Sequence, residues 1–245
     1  LNIKKGEHWF LFGQNGSGKS TLMSILAGYR ANTHGSLRLF SQIPNEDNIL
    51  NMRKRIGLLS SSFFDSYYKN EDALTIALSG FASGLGINNE LTTANIVLTK
   101  QLLRNLGLGR KMYYPYKFLS KGERQCVLLT KTLINKPEVL LLDEPCSSLD
   151  LVAKNRLLDA ISIYAKNDAL TILYVTHTVE EILPEFDNCL ILSHGKIAAC
   201  GKTTDVFTSE ILSRMLNTPI EITWHDMRYH VKTSTSQCLQ NIYTS

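Results

Sequence analysis

Eight residues, Gly13, Gln14, Asn15, Gly16, Ser17, Gly18, Lys19 and Ser20, fit the pattern GxxxxGK[ST]. Glycines at these spacings let a backbone wrap closely around an anion, with its N–H groups pointing inward. A helix opening at Lys19, Ser20 and Thr21 adds its positive N-terminal end. In such a loop Lys19 reaches the β- and γ-phosphates of a nucleotide, and Ser20 ligates Mg²⁺. Further along, the apolar run of Val139 to Pro145 (VLLLDEP) ends on two carboxylates. Asp143 is expected at the carboxyl end of a buried strand beside the phosphate loop, as a Mg²⁺ partner, directly or through water. Glu144 stands where a carboxylate can polarise an attacking water; its other reading is an acidic cap on the next turn. A phosphate loop followed by paired acids implies nucleotide chemistry and leaves its purpose open.

These side chains need a scaffold that presents them together. Trp9 to Phe12 reads as a short apolar strand feeding the glycine loop, and Thr21 to Ala27 as a helix stopped by Gly28. Gly35 to Phe40 (GSLRLF) alternates like a half-exposed strand. Ile56 to Leu59 is another strand. From Asp65 to Lys117 the character changes to helical stretches mixed with turn signals, and Leu98, Leu102 and Leu106 form a stripe at helical spacing. Regular alternation then resumes. Glu123 to Ile134 reads as a helix, Val139 to Leu142 as a buried parallel strand, Leu151 to Ala165 as a helix and Thr171 to Val175 as a buried strand. Cys189 to Leu192 and Ile197 to Cys200 pair as a hairpin. From Thr203 the chain reads as a helix and then polar strands, and the tail after Lys232 as loosely ordered. Strands alternating with helices imply an α/β fold with a mostly parallel sheet and right-handed crossovers. Trp9 is expected in the core.

Three further motifs accompany the loop and the acids in fixed order. Leu119 to Gln125 reads LSKGERQ, Ser147 to Asp150 reads SSLD, and a lone His177 follows the apolar run ILYVT. A hydroxyl, a glycine and a helix start make a good anion site at Ser120 to Gly122. Taken alone it is also an ordinary helix cap, and Asp150 can cap the helix that starts at Leu151. Kinases, GTPases and helicases share the phosphate loop and lack LSKGERQ before the acidic strand. The five-part series resembles the ATP-binding cassette family over nearly the whole chain. That resemblance implies a P-loop NTPase core (residues 1–64 and 118–202), an inserted helical subdomain (65–117), a small antiparallel part and a C-terminal extension (203–245). It further implies that Ser120 and the backbone of Gly122 grip the γ-phosphate of ATP bound to a second copy of the chain. Asp150 would then lie along that dimer interface, and His177 would contact the γ-phosphate in its own site. The resemblance aligns Ser61 with a glutamine that helps hold Mg²⁺ and reports on a membrane partner; serine is shorter but can ligate the ion. The aromatic residue on which the family stacks adenine lies upstream of the loop, before Leu1, so no residue is assigned to that role. An N-terminal segment is accordingly expected to precede Leu1, and no signal peptide is read. The loop and signature look most like bacterial single-cassette ATPases of molybdate or iron uptake, and Met215 to Lys232 resembles the ends of metal-chelate importer ATPases.

Composition narrows the partners. With 245 residues and 44% hydrophobic content, the chain has enough for one sizeable core. The net charge of +4 comes from scattered basic residues, a solvated surface rather than a nucleic-acid footprint, and no direct nucleic-acid binding is expected. Five cysteines without a CxxC pair argue against a disulfide framework or zinc site and suit a reducing cytosol. No apolar run approaches the ~20 residues of a membrane span. The expectation is a cytoplasmic ATPase that binds ATP and Mg²⁺, dimerises with itself and docks under a transmembrane permease, its output passing near Ser61 to Lys69. The alternatives are a soluble cassette acting on nucleic acid or ribosomes and a regulatory ATP sensor. Two-cassette chains and long coiled coils mark the former and are missing here. Glu144 and His177 argue against the latter.

Overall fold

Strands that are apolar throughout need cover on both faces, and this chain supplies it. The computed structural model describes residues 1–60, 68, 70–81, 91–167 and 169–233. Strands β1 (His8–Phe12), β2 (Ile56–Ser60), β3 (Val139–Asp143), β4 (Thr171–Thr176), β5 (Asn188–Ser193) and β6 (Lys196–Lys202) form one sheet in the order β2-β3-β4-β1-β5-β6. All neighbours pair in parallel except β5 with β6, which close the sheet as a hairpin. Its turn is His194–Gly195, both with positive φ (48° and 74°), the conformation two-residue hairpin turns require.

Alternation along the strands feeds two cores. Trp9 and Leu11 face Leu141, Leu173 and Val175 under Met23 of α1 (Lys19–Leu26). Phe10 and Phe12 point the other way, with Leu140, Leu142, Ile172 and Tyr174, against helices α5 (Lys121–Leu133) and α6 (Leu151–Ala165). Each fully buried side chain of this kind contributes roughly 1.5–3 kcal/mol, so the sheet and its two helical layers hold one another together. Trp9, 6% exposed, is a core residue as expected.

Between β1 and β2 lies the short helix α2 (Ile49–Lys54). The stretch expected as a strand at Gly35 to Phe40 does not form one. Phe40 and Ser41 take positive φ (52° and 65°) and the chain doubles back, so that Leu39 bonds to Gln42 across its own turn. Local hydrogen bonding there replaces a sheet partner. Between β2 and β3 come α3 (Ala73–Leu78), α4 (Thr93–Asn105) and then α5. Asp72 and Thr92 cap the first two, each accepting a backbone N–H. The apolar stripe of α4 is centred on Thr99 and Leu103, fully buried, with Leu106 at its end; Leu98 and Leu102 flank that centre and are only half-buried.

After β6 the extension comprises α7 (Thr203–Val206), α8 (Ser209–Leu216) and the hairpin β7 (Ile220–His225) with β8 (Arg228–Thr233). Phe207 anchors it edge-on against Phe10 (5.0 Å), Phe12 (5.3 Å) and Tyr229 (5.4 Å). Ser61, the expected docking segment near Ser61 to Lys69 for the most part, and the tail from residue 234 lie outside the described residues.

Gly80 marks the tightest seam between the helical segment and the core. A Cβ there would overlap the Lys131 carbonyl of α5 and come 2.5 Å from Ile134 Cγ2. Gly80→Ala should therefore cost about 1–3 kcal/mol, the usual penalty of overpacking. Denaturant unfolding checks it: an unchanged midpoint would mean that α3 and α5 are less tightly joined than they look.

Candidate nucleotide site

Parallel register brings the predicted residues to one edge. Phe12 pairs with Thr176, and Asp143 with Val175, so β1, β3 and β4 end at the same level. Gly13 to Gly18 turn over that edge. A Cβ on Gly13 would overlap the carbonyl oxygen of Leu192, and Gly18 has φ of 100° where it caps α1. Neither position admits another side chain without strain.

Lys19 opens α1 and folds back into the loop. Its Nζ donates to the carbonyls of Gly13 (2.7 Å) and Gln14 (3.0 Å) and lies 3.9 Å from Glu144 Oε1. Ser20 Oγ lies 3.2 Å from Asp143 Oδ1 and donates to it. Burial pulls the Lys19 pKa down, opposed by the charges of Glu144 and Asp143. Burial pushes the Asp143 carboxyl up; the Ser20 hydrogen bond and Lys19 oppose this, and Glu144 adds to it.

Glu144 adopts a left-handed backbone conformation, φ 48°, and its N–H bonds back to Val175 O at 3.1 Å. Such a conformation is uncommon outside glycine and costs of order 1 kcal/mol. It turns the side chain across the ends of β3 and β4, where Oε1 lies 3.2 Å from His177 Nδ1. His177 is half-exposed, at the mouth of the site. The fold places these residues at one edge of the sheet: Gly13, Gln14, Asn15, Gly16, Ser17, Gly18, Lys19, Ser20 and Thr21 as loop and helix start, with Asp143, Glu144 and His177 across from them.

Ser120, Gly122 and Asp150 form a second group. Ser120 caps α5 in a reciprocal box: its Oγ accepts Glu123 N–H (3.3 Å), and Glu123 Oε2 accepts Ser120 N–H (2.9 Å). Burial would raise the Glu123 carboxyl, yet hydrogen bonds from Lys111 and the Ser120 backbone hold it below its ordinary value. Arg124 braces the preceding turn by donating to the carbonyls of Tyr116, Lys117 and Leu119. Asp150 caps α6, accepting Ala153 N–H at 2.8 Å. Ala153 also meets Gly122, where an added Cβ would lie 2.6 Å from its own. The LSKGERQ turn and the SSLD turn are therefore locked together through Ala153, whose small side chain gave no sign of this in the sequence.

Two clefts adjoin the site. One of about 190 Å³ is lined by Ser20, Met23, Ser24, Tyr29, Leu58, Ser60 and Asp143. Ser60 pairs with Asp143 in register, a site position that the sequence does not mark, since the resemblance aligns Ser61 instead. The other, about 290 Å³, runs between Glu144, Cys146 and Ser147 on one side and His177 and Glu181 on the other. Thr176 and Glu181 were also missed; Glu181 reads as one more surface acid in a polar run.

The sequence profile of the ABC transporter family matches residues 1–147. An uncharacterised ABC transporter ATP-binding protein of Bacillus subtilis, YlmA, is 36% identical over 228 residues, spanning 92% of this chain and 86% of its own length. The chain belongs to the ABC transporter family. It is an ATP-binding, ATP-hydrolysing member of it, with the α/β P-loop fold expected from its motifs. The molybdate/tungstate import ATP-binding protein WtpC of Pyrococcus horikoshii is 29% identical over 219 residues, covering 88% of this chain and 61% of WtpC. Among solved structures, an inward-facing putative metal-chelate type ABC transporter superposes with a TM-score of 0.76 at 24% identity, covering 96% of this chain and 88% of that one. The structural likeness shows a shared fold.

The cap at Asp150 yields a direct test. Asp150→Ala should cost about 1 kcal/mol of stability, and Asp150→Asn, which keeps an acceptor, should recover most of it. Thermal melting of the two variants decides; equal losses would mean that charge rather than the cap matters at that position.

Proposed function

We propose that this chain works as half of a head-to-tail pair, hydrolysing ATP at the shared interface to drive a membrane permease from the cytoplasmic side. The observation that carries the reading is the Glu144 carboxylate, held between Lys19 Nζ at 3.9 Å and His177 Nδ1 at 3.2 Å above the phosphate loop. In this role the loop amides and Lys19 bind the phosphates. Glu144 orients and deprotonates the attacking water. His177 steadies the terminal phosphate from the mouth of the site.

Magnesium fits the residues present. Among the described residues no group of three or more His, Cys, Asp or Glu gathers to cage a metal. Magnesium seldom needs such a cage; it takes one or two protein oxygens plus substrate phosphates. Ser20 Oγ and Asp143 Oδ1 would hold it, with Ser61 as a third candidate. When bound it neutralises phosphate charge.

Pairing is supported by the second group of residues. Ser120 is exposed at the N-terminus of a 13-residue helix, and its turn is rigidly braced by Glu123, Arg124 and Gly122. Such a turn suits an anion presented from outside, the γ-phosphate on a second copy, with Asp150 alongside. A permease partner is supported by the exposed Tyr113, Tyr114 and Phe118 on the helical segment. Among the described residues no helix is long and apolar enough to cross a membrane.

Glu144→Gln tests the base: turnover should fall by at least about 10²-fold, the scale of general-base catalysis, while an ATP-bound dimer accumulates in light scattering. Hydrolysis at the parental rate would remove Glu144 from the mechanism. Ser120→Arg should block the dimer and leave ATP binding to single chains within about twofold; loss of both would show that the LSKGERQ turn does not act across the interface.

A further inference from the structure

We infer that Thr176 and Glu181 are positioning residues that set the angle of His177, an inference that rests on the hydrolytic role proposed for His177. The observation is a chain of hydrogen bonds that runs beneath the turn carrying that one residue. Thr178 N–H donates to Thr176 Oγ1 at 2.9 Å, pinning the backbone across His177. The Thr176 hydroxyl in turn donates to Glu181 Oε2 at 2.8 Å. The same carboxylate oxygen accepts the Tyr174 hydroxyl at 3.0 Å. Cys146 Sγ stands 3.4 Å from that hydroxyl oxygen. Cys146 follows Glu144 by two residues, so one buried network reaches from the turn carrying Glu144 to the turn carrying His177.

Burial makes this chain of bonds stiff. Tyr174, Thr176 and Glu181 are 0%, 1% and 5% exposed. The imidazole of His177 is half-exposed and has little packing of its own, so its backbone must be held for it. A carboxylate this deep has a desolvation cost that a hydrophobic side chain would not incur. What it supplies here is a fixed acceptor for two hydroxyls on β4, one of them adjacent to His177. The C-terminal hairpin backs the same turn: β8 packs on Val179–Glu181. Thr176 also pairs in register with Phe12, immediately before the phosphate loop, so its tilt is shared with the strand that holds the nucleotide.

The test is steady-state hydrolysis and equilibrium ATP binding by the full chain, with melting curves to confirm folding. Thr176→Val and Glu181→Ala should each lower kcat on the order of tenfold, within the roughly 10²-fold that a 1 Å misplacement can cost, and leave the KM for ATP within about twofold. Thr176→Ser, which restores the hydroxyl, should restore kcat. In a His177→Ala background, Glu181→Ala and Thr176→Val should cause no further loss. An additional loss there, or parental kcat in folded Thr176→Val, overturns the inference while leaving the role of His177 intact. Parental turnover in His177→Ala alone overturns the role of His177 first and the positioning with it. Should Glu181→Ala fail to fold, the near-isosteric Thr176→Val and its serine counterpart decide the matter.

Discussion

Register in the parallel sheet sets everything at the site. Because Asp143 pairs with Val175 and Phe12 with Thr176, three strands release their chains at one level. A slip of one residue would turn Asp143 into a core position and bring Leu142 to the loop. The two cores prevent it. Trp9 and Leu11 on one face and Phe10 and Phe12 on the other are buried to within a few per cent, so a slip would exchange side chains of unlike volume between two close-packed layers.

On that edge, charges that would be costly alone sustain one another. Burial works against the ionised forms of both Lys19 and Asp143, and each is opposed by charge or hydrogen bonding from the other side. Lys19 is further held by two carbonyls of its own loop. The site is a mutually dependent set rather than a sum of pairs, the arrangement in which a buried charge can be kept. The strained backbone of Glu144 belongs to the same set, since only that turn points its carboxylate at both Lys19 and His177.

Much of this was legible in the sequence, for definite physical reasons. Apolar runs such as VLLLD and TILYVT, bounded by turns, can only be buried strands, and helices with a capping residue at Ser120 or Asp150 announce their first turn. What could not be read was local compensation. Gly35 to Phe40 has strand-like alternation, yet the chain satisfies its own hydrogen bonds at Phe40 and Ser41 and never joins the sheet. Ala153 and Gly80 matter through the atoms pressed against them, which composition does not reveal. Glu181 goes unmarked in the sequence because four-residue spacing from His177 says nothing about the two hydroxyls it accepts from β4.

The placement of β4 between β3 and β1 has a consequence for how the protein is made. During synthesis, β1, β2 and β3 leave the ribosome before the strand that joins them. Until Thr171–Thr176 emerges, β1 and β3 each present an open edge of Val, Leu and Phe, the kind of surface that pairs with neighbouring chains. Premature termination after the DEP turn would leave both edges permanently exposed. The nascent chain is thus most vulnerable to aggregation in the interval between its two acidic residues and its histidine, when every part of the phosphate loop is already present and nothing yet holds it in place.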